Sequence, residues 1–132
     1  MGQISFVLRR RNPASLNLVV MRPASGELSA FERAILEIMG SDRESLRPLI
    51  PHLQVLKREI TGAGSYTDLA CPESAPDLGD GHIGIDVLIN VPGVPNGMGA
   101  VLFCKAGAPT LLEIYTFGGE SWDGIADGFS FS

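Results

Sequence analysis

From Leu53 onward, Gly and Pro cut the chain into apolar runs, none of them long enough for a crossover helix. No other feature constrains the fold more. Parallel strands need a connection of a dozen or more residues, usually helical, whereas antiparallel neighbours need only a tight turn. A doubly wound nucleotide-binding sheet is therefore excluded, and a series of hairpins is expected. Residues 82–91 alternate, with Ile83, Ile85, Val87, Ile89 and Val91 on one side and His82, Gly84, Asp86, Leu88 and Asn90 on the other. Residues 53–60, 66–71, 100–105 and 111–117 read as further strands, and Phe129 with Phe131 as a short terminal one. Turns fall at 61–64, 92–97 and 106–109, an exposed loop at 72–81, and a turn-rich segment at 118–127.

Ahead of these strands the period is helical. Ser29-Ala30-Phe31-Glu32 has the capping-box pattern, in which hydroxyl and carboxylate each satisfy a backbone amide the helix leaves orphaned. Leu28, Phe31, Ala34, Ile35 and Ile38 then share a face, with Glu32, Arg33 and Glu37 opposite, and Gly40 ends the helix. Ser41-Asp42-Arg43-Glu44 repeats the cap ahead of a shorter helix that carries Leu46 and fails at Pro48 and Pro51. The fold class expected is α+β, a mainly antiparallel sheet of four to six strands packed by one long and one short N-terminal helix. Residues 1–132 read as a single domain: 1–25 a hairpin or arm, 28–52 helical, 53–132 sheet. At 132 residues a chain buries about two-thirds of its unfolded surface, enough for one core.

The net charge of −5 hides an asymmetry. Residues 1–66 hold nine Lys or Arg against six Asp or Glu, whereas residues 67–132 hold Lys105 alone against nine acids. An acidic half of −8 repels phosphate backbones, so a nucleic-acid partner is not expected and a basic protein fits better. No apolar run is long enough to span a membrane, and Arg9-Arg10-Arg11 leads into no sustained apolar region, so a cytoplasmic protein is expected. Cys71 and Cys104 then read as reduced thiols. No cofactor is implied.

Three groupings are candidates for chemistry. Gly62-Ala63-Gly64 lacks the third glycine of a dinucleotide loop and the Gly-Lys-Ser/Thr of a P-loop, and suits a hairpin turn. His82 with Asp77, Asp80 and Asp86 offers imidazole and oxygen ligands for a metal, the set His82, Asp80 and Asp86 being the candidate. His82 and Asp86 are four residues apart on one strand face, however, so roughly 13 Å of extended backbone separates them. Solvated turn acids are the plainer reading. Cys71 or Cys104 with His52 or His82 offers a nucleophile and a base, but neither cysteine lies in a known local signature, Cys104 lies in an apolar run, and no Gly-x-Ser-x-Gly elbow exists. An enzyme is the minority reading, with no catalytic residue assigned.

The C-terminal run gathers Glu113, Tyr115, Phe117, Glu120 and the chain's single Trp, Trp122. Glu113, Tyr115 and Phe117 share a strand face, with Lys57 or Arg58 as candidate basic mates on a neighbouring strand. Aromatic and charged residues projecting together are where protein interfaces concentrate binding energy. Residues 58–67, Arg-Glu-Ile-Thr-Gly-Ala-Gly-Ser-Tyr-Thr, and 112–122, Leu-Glu-Ile-Tyr-Thr-Phe-Gly-Gly-Glu-Ser-Trp, follow a Leu-Ser-x-x-Glu helix start. Over residues 28–131 this pattern resembles a small uncharacterised bacterial protein family. The resemblance implies a stand-alone bacterial domain and carries no activity and no catalytic residues.

The function expected is therefore a protein-binding module acting through Glu113, Tyr115, Phe117, Glu120 and Trp122, with an immunity or inhibitor protein directed at a basic toxin as one concrete version. The alternative is a small metal-dependent or hydrolytic enzyme using His82 with nearby acids. A homodimer joined at a free sheet edge is a third reading.

Overall fold

The computed structural model describes residues 26–132, so the hairpin or arm expected over 1–25 lies outside the described residues. One α-helix, α1 (Ala30–Asp42), precedes seven strands: β1 (Gln54–Ile60), β2 (Gly64–Ala70), β3 (Gly81–Gly84), β4 (Ile89–Val91), β5 (Val94–Lys105), β6 (Ala108–Thr116) and β7 (Ser130–Phe131). They form one antiparallel sheet in the order β1-β2-β6-β5-β4-β7, with β3 also paired to β5. The α+β class with an antiparallel sheet is as expected, but strand and helix numbers differ. The segment expected as a second, short helix is a 3-10 turn over Arg47–His52. Its Pro48 and Pro51 lack the amides an α-helical ladder would need, yet Leu46, Leu49 and Ile50 are still buried.

The other difference lies along β5. Residues 82–91 form two strands, with β3 pairing from Gly81↔Cys104 to Gly84↔Val101 and β4 from Ile89↔Met98 to Val91↔Val94. Between them the backbone turns outward, and Leu88 exchanges both its amide and its carbonyl bonds with Ser132 at the chain end. The break is set by Leu88 pairing with a residue 44 positions further along the chain, which alternation alone does not reveal. The turn expected over 92–97 shrinks to Pro92-Gly93, with Gly93 at φ +91°, and β5 starts at Val94.

α1 covers one face of the sheet. Its capping box forms, the Ser29 hydroxyl accepting from the Glu32 amide at 3.0 Å and the Glu32 carboxylate from the Ser29 amide at 2.8 Å. Phe31, Ile35, Leu36 and Met39 are buried in one cluster with Val55, Leu69, Ala100, Leu102, Leu112 and Ile114. Glu32 is buried with them, contrary to the helical-wheel reading that set it on the solvent side. Among the described residues no helix is long and apolar enough to cross a membrane.

Candidate functional site

Among the described residues the face of the sheet turned away from α1 has no second layer of structure over it, and its registers are fixed by tight turns. Gly62-Ala63 joins β1 to β2, and Ala106-Gly107 joins β5 to β6. Three rows of residues therefore run across it. Glu59, Tyr66, Glu113 and Val101 are cross-strand partners in one row; Lys57, Asp68, Leu111, Phe103 and His82 in the next; Gly64, Tyr115 and Gly99 in the third. Side chains directly opposite one another on a sheet are in contact distance, so each row is a continuous strip of surface.

The strips are chemically mixed. Tyr66 is 41% exposed and Phe117 40%. Tyr115 meets Phe117 edge to face, ring centroids 5.6 Å apart at 88°, the arrangement favoured by aromatic quadrupoles. The Tyr115 phenol lies over Gly99, where an added Cβ would come within 2.7 Å of the ring, so that glycine makes room for the aromatic above it. Tyr66 stands between two acids. The Glu113 charge, then burial and the Glu113 hydrogen bond, then the Glu59 charge push the phenol above its ordinary pKa. Lys57 pairs with Asp68 at 3.5 Å, but neither Glu59 nor Glu113 forms an ion pair among the described residues.

The five residues grouped by sequence thus separate. Glu113, Tyr115 and Phe117 lie together on the open face. Glu120 sits in the following loop, where its carboxylate accepts from the Asn96 amide at 3.1 Å and from Asn96 Nδ2 at 2.8 Å. Trp122 is buried on the α1 side, tilted against Phe31 with centroids 5.9 Å apart. The basic mates go elsewhere as well: Arg58 points under the helix to Glu32, and Lys57 goes to Asp68. Tyr66, Glu59, Val101 and Phe103 join the face without having been singled out. Pairing the strands outward from the two tight turns would have found them.

His82, Asp80 and Asp86 are not brought together. His82 is exposed beside Phe103, and Asp86 follows the end of β3. The Asp80 carboxylate accepts from the Ala106 amide at 2.7 Å, bracing the β5–β6 turn where Ala106 adopts φ +52°. Among the described residues no three His, Cys, Asp or Glu are grouped to hold a metal ion. Cys104 is buried, and burial raises its thiol pKa against a smaller lowering by Arg43. His52 lies 3.9 Å from Glu73.

On the opposite side of the sheet a cleft of about 1030 Å³ opens between the start of α1, the β1–β2 turn and the C-terminal loop. Phe31, Trp122 and Phe129 form an aromatic wall, and the loop's Asp123, Ile125 and Asp127 stand at its edge. Behind it Glu32 receives Arg58 Nε at 2.7 Å and Nη2 at 2.6 Å, and the Thr67 hydroxyl at 2.9 Å. Comparison with protein-family models, with curated proteins and with solved structures gives no match.

Proposed function

We propose that this chain is a protein-binding module whose contact surface is the open sheet face centred on Tyr66 and Glu113. The observation carrying this reading is the row Glu59–Tyr66–Glu113, an exposed phenol between two acids that have no ion pair among the described residues, flanked by Tyr115 and Phe117. The partner is a protein surface bearing Arg or Lys with an apolar side chain beside it. Charge complementarity selects it, because the second half of the chain carries a single Lys against nine acids. A basic toxin bound by an immunity or inhibitor protein is one partner of that chemistry, and the stand-alone bacterial domain implied by the sequence resemblance suits it.

Rigid strands favour the role. Tyr offers large contact area with little side-chain freedom to lose, and the T-shaped Tyr115–Phe117 pair is already ordered in the free protein. Partners captured at low salt by the wild-type protein are to be compared with those captured by Glu113→Lys and Tyr66→Ala, then reconstituted pure. A basic partner that binds Glu113→Lys about ten-fold or more weaker is expected. Equal binding by all three proteins contradicts the proposal.

A further inference from the structure

The cleft on the helix side of the sheet has a floor of three residues in one cross-strand row, Ile60, Ser65 and Ile114. Ser65 is only 3% exposed, and its hydroxyl has no hydrogen-bond partner among the described residues. A buried hydroxyl left unpaired costs free energy that a valine between two isoleucines would avoid. Asp123 and Asp127 stand exposed at the edge of the cleft, and the polar side chains deeper in the described lining are spoken for. The Ser29 hydroxyl caps α1, the Thr61 hydroxyl donates to the Gly64 carbonyl, and Arg58 and Glu32 neutralise each other. Even the Trp122 indole N–H is used, donating to the Ile125 carbonyl at 2.9 Å.

Among the described residues Ser65 is thus the one free polar point at the base of a chamber whose wall is Phe31, Trp122 and Phe129. At its lip Ile125 is 59% exposed, an apolar side chain held over the opening. Among the described residues the charged members of the lining are one arginine and three acids, which disfavours an anion. Ligand sites are typically such concave apolar spaces with few, placed polar groups. We infer that this cleft binds an uncharged aromatic small molecule carrying one hydrogen-bonding group, which meets the Ser65 hydroxyl while its rings lie against Phe31, Trp122 and Ile125. The site is separate from the open sheet face, and either can exist without the other.

Phenyl-naphthylamine, neutral with a single N–H, is a suitable probe, and Trp122 is the only Trp in the chain, so energy transfer from it reports occupancy. Saturable one-to-one binding to the full chain is expected. Ser65→Ala is expected to weaken it about five-fold, while unfolding at the same temperature as wild type or higher, since an orphan hydroxyl is removed. Ile125→Asp, on the exposed lip, is expected to weaken it about ten-fold with folding intact. The anionic anilinonaphthalene sulfonate is expected to bind at least ten-fold more weakly than the amine. Absence of saturable binding, unchanged affinity in Ser65→Ala, or a sulfonate that binds as tightly as the amine would each overturn the inference.

Discussion

Glu32 is the residue on which three elements meet. It caps α1, takes both nitrogens of Arg58 from β1, and accepts the Thr67 hydroxyl of β2. Burial pushes its carboxyl upward, but Arg58, the Ser29 amide and Thr67 outweigh burial and hold it below the usual 4.5. A carboxyl with a depressed folded pKa contributes stability above its unfolded pKa and loses it as pH falls through the folded value. The unfolding temperature should therefore fall as the pH drops below about 4.5, and Glu32→Gln should flatten that acid limb. Arg58→Met leaves a buried carboxylate unpaired and should cost about 3–5 kcal/mol, whereas Glu32→Leu with Arg58→Met together should cost less. Chemical denaturation of the three variants measures this. The cysteines differ in the same physical way. Cys104 is buried with a raised thiol pKa, Cys71 half-buried, so a thiol reagent at neutral pH should label Cys71 first and Cys104 only as the protein unfolds.

At the scale of elements, the strands touch most tightly where glycine is required. An added Cβ at Gly64 would run into the Ile114 carbonyl oxygen and lie 2.9 Å from the Tyr115 Cα, so β2 and β6 can pair there only without a side chain. Gly64→Ala should lower stability by about 2 kcal/mol or more, measured by denaturation. At Gly99 the atoms nearest an added Cβ belong to the Tyr115 ring, a side chain that can swing aside. Gly99→Ala should cost little stability but weaken partner binding by displacing that ring. The capping box and the hairpin turn at Gly62-Ala63 were legible because local residue chemistry decides them. The break between β3 and β4 was not, because it depends on Leu88 pairing with Ser132 far along the chain. Nor was the burial of Glu32, which a wheel of hydrophobic residues assigns to solvent until Arg58 is brought under the helix. The site was half legible for the same reason. Period-two spacing placed Glu113, Tyr115 and Phe117 on one face, but it cannot show that Trp122, after two glycines at positive φ, turns to the other side.

Across the whole molecule the sheet divides two surfaces of different character. One carries the cleft and the helix, the other the acidic and aromatic rows, and the chain's acids gather in its second half. Association through the open face should accordingly weaken as salt screens Glu59 and Glu113, while the Tyr66 contribution persists at high salt. Partner affinity measured from low to physiological ionic strength, for wild type and for Glu59→Gln with Glu113→Gln, should show a shallower salt slope in the double variant. The most direct measurement is the footprint of the purified partner on isotope-labelled protein, read as shifts of side-chain and amide resonances. Shifts concentrated at Glu59, Tyr66, Val101, Phe103, Glu113, Tyr115 and Phe117, with Phe31, Ser65 and Trp122 unmoved, are the predicted result. A footprint centred on the cleft residues, or spread over the helix with Tyr66 and Glu113 unchanged, would contradict it.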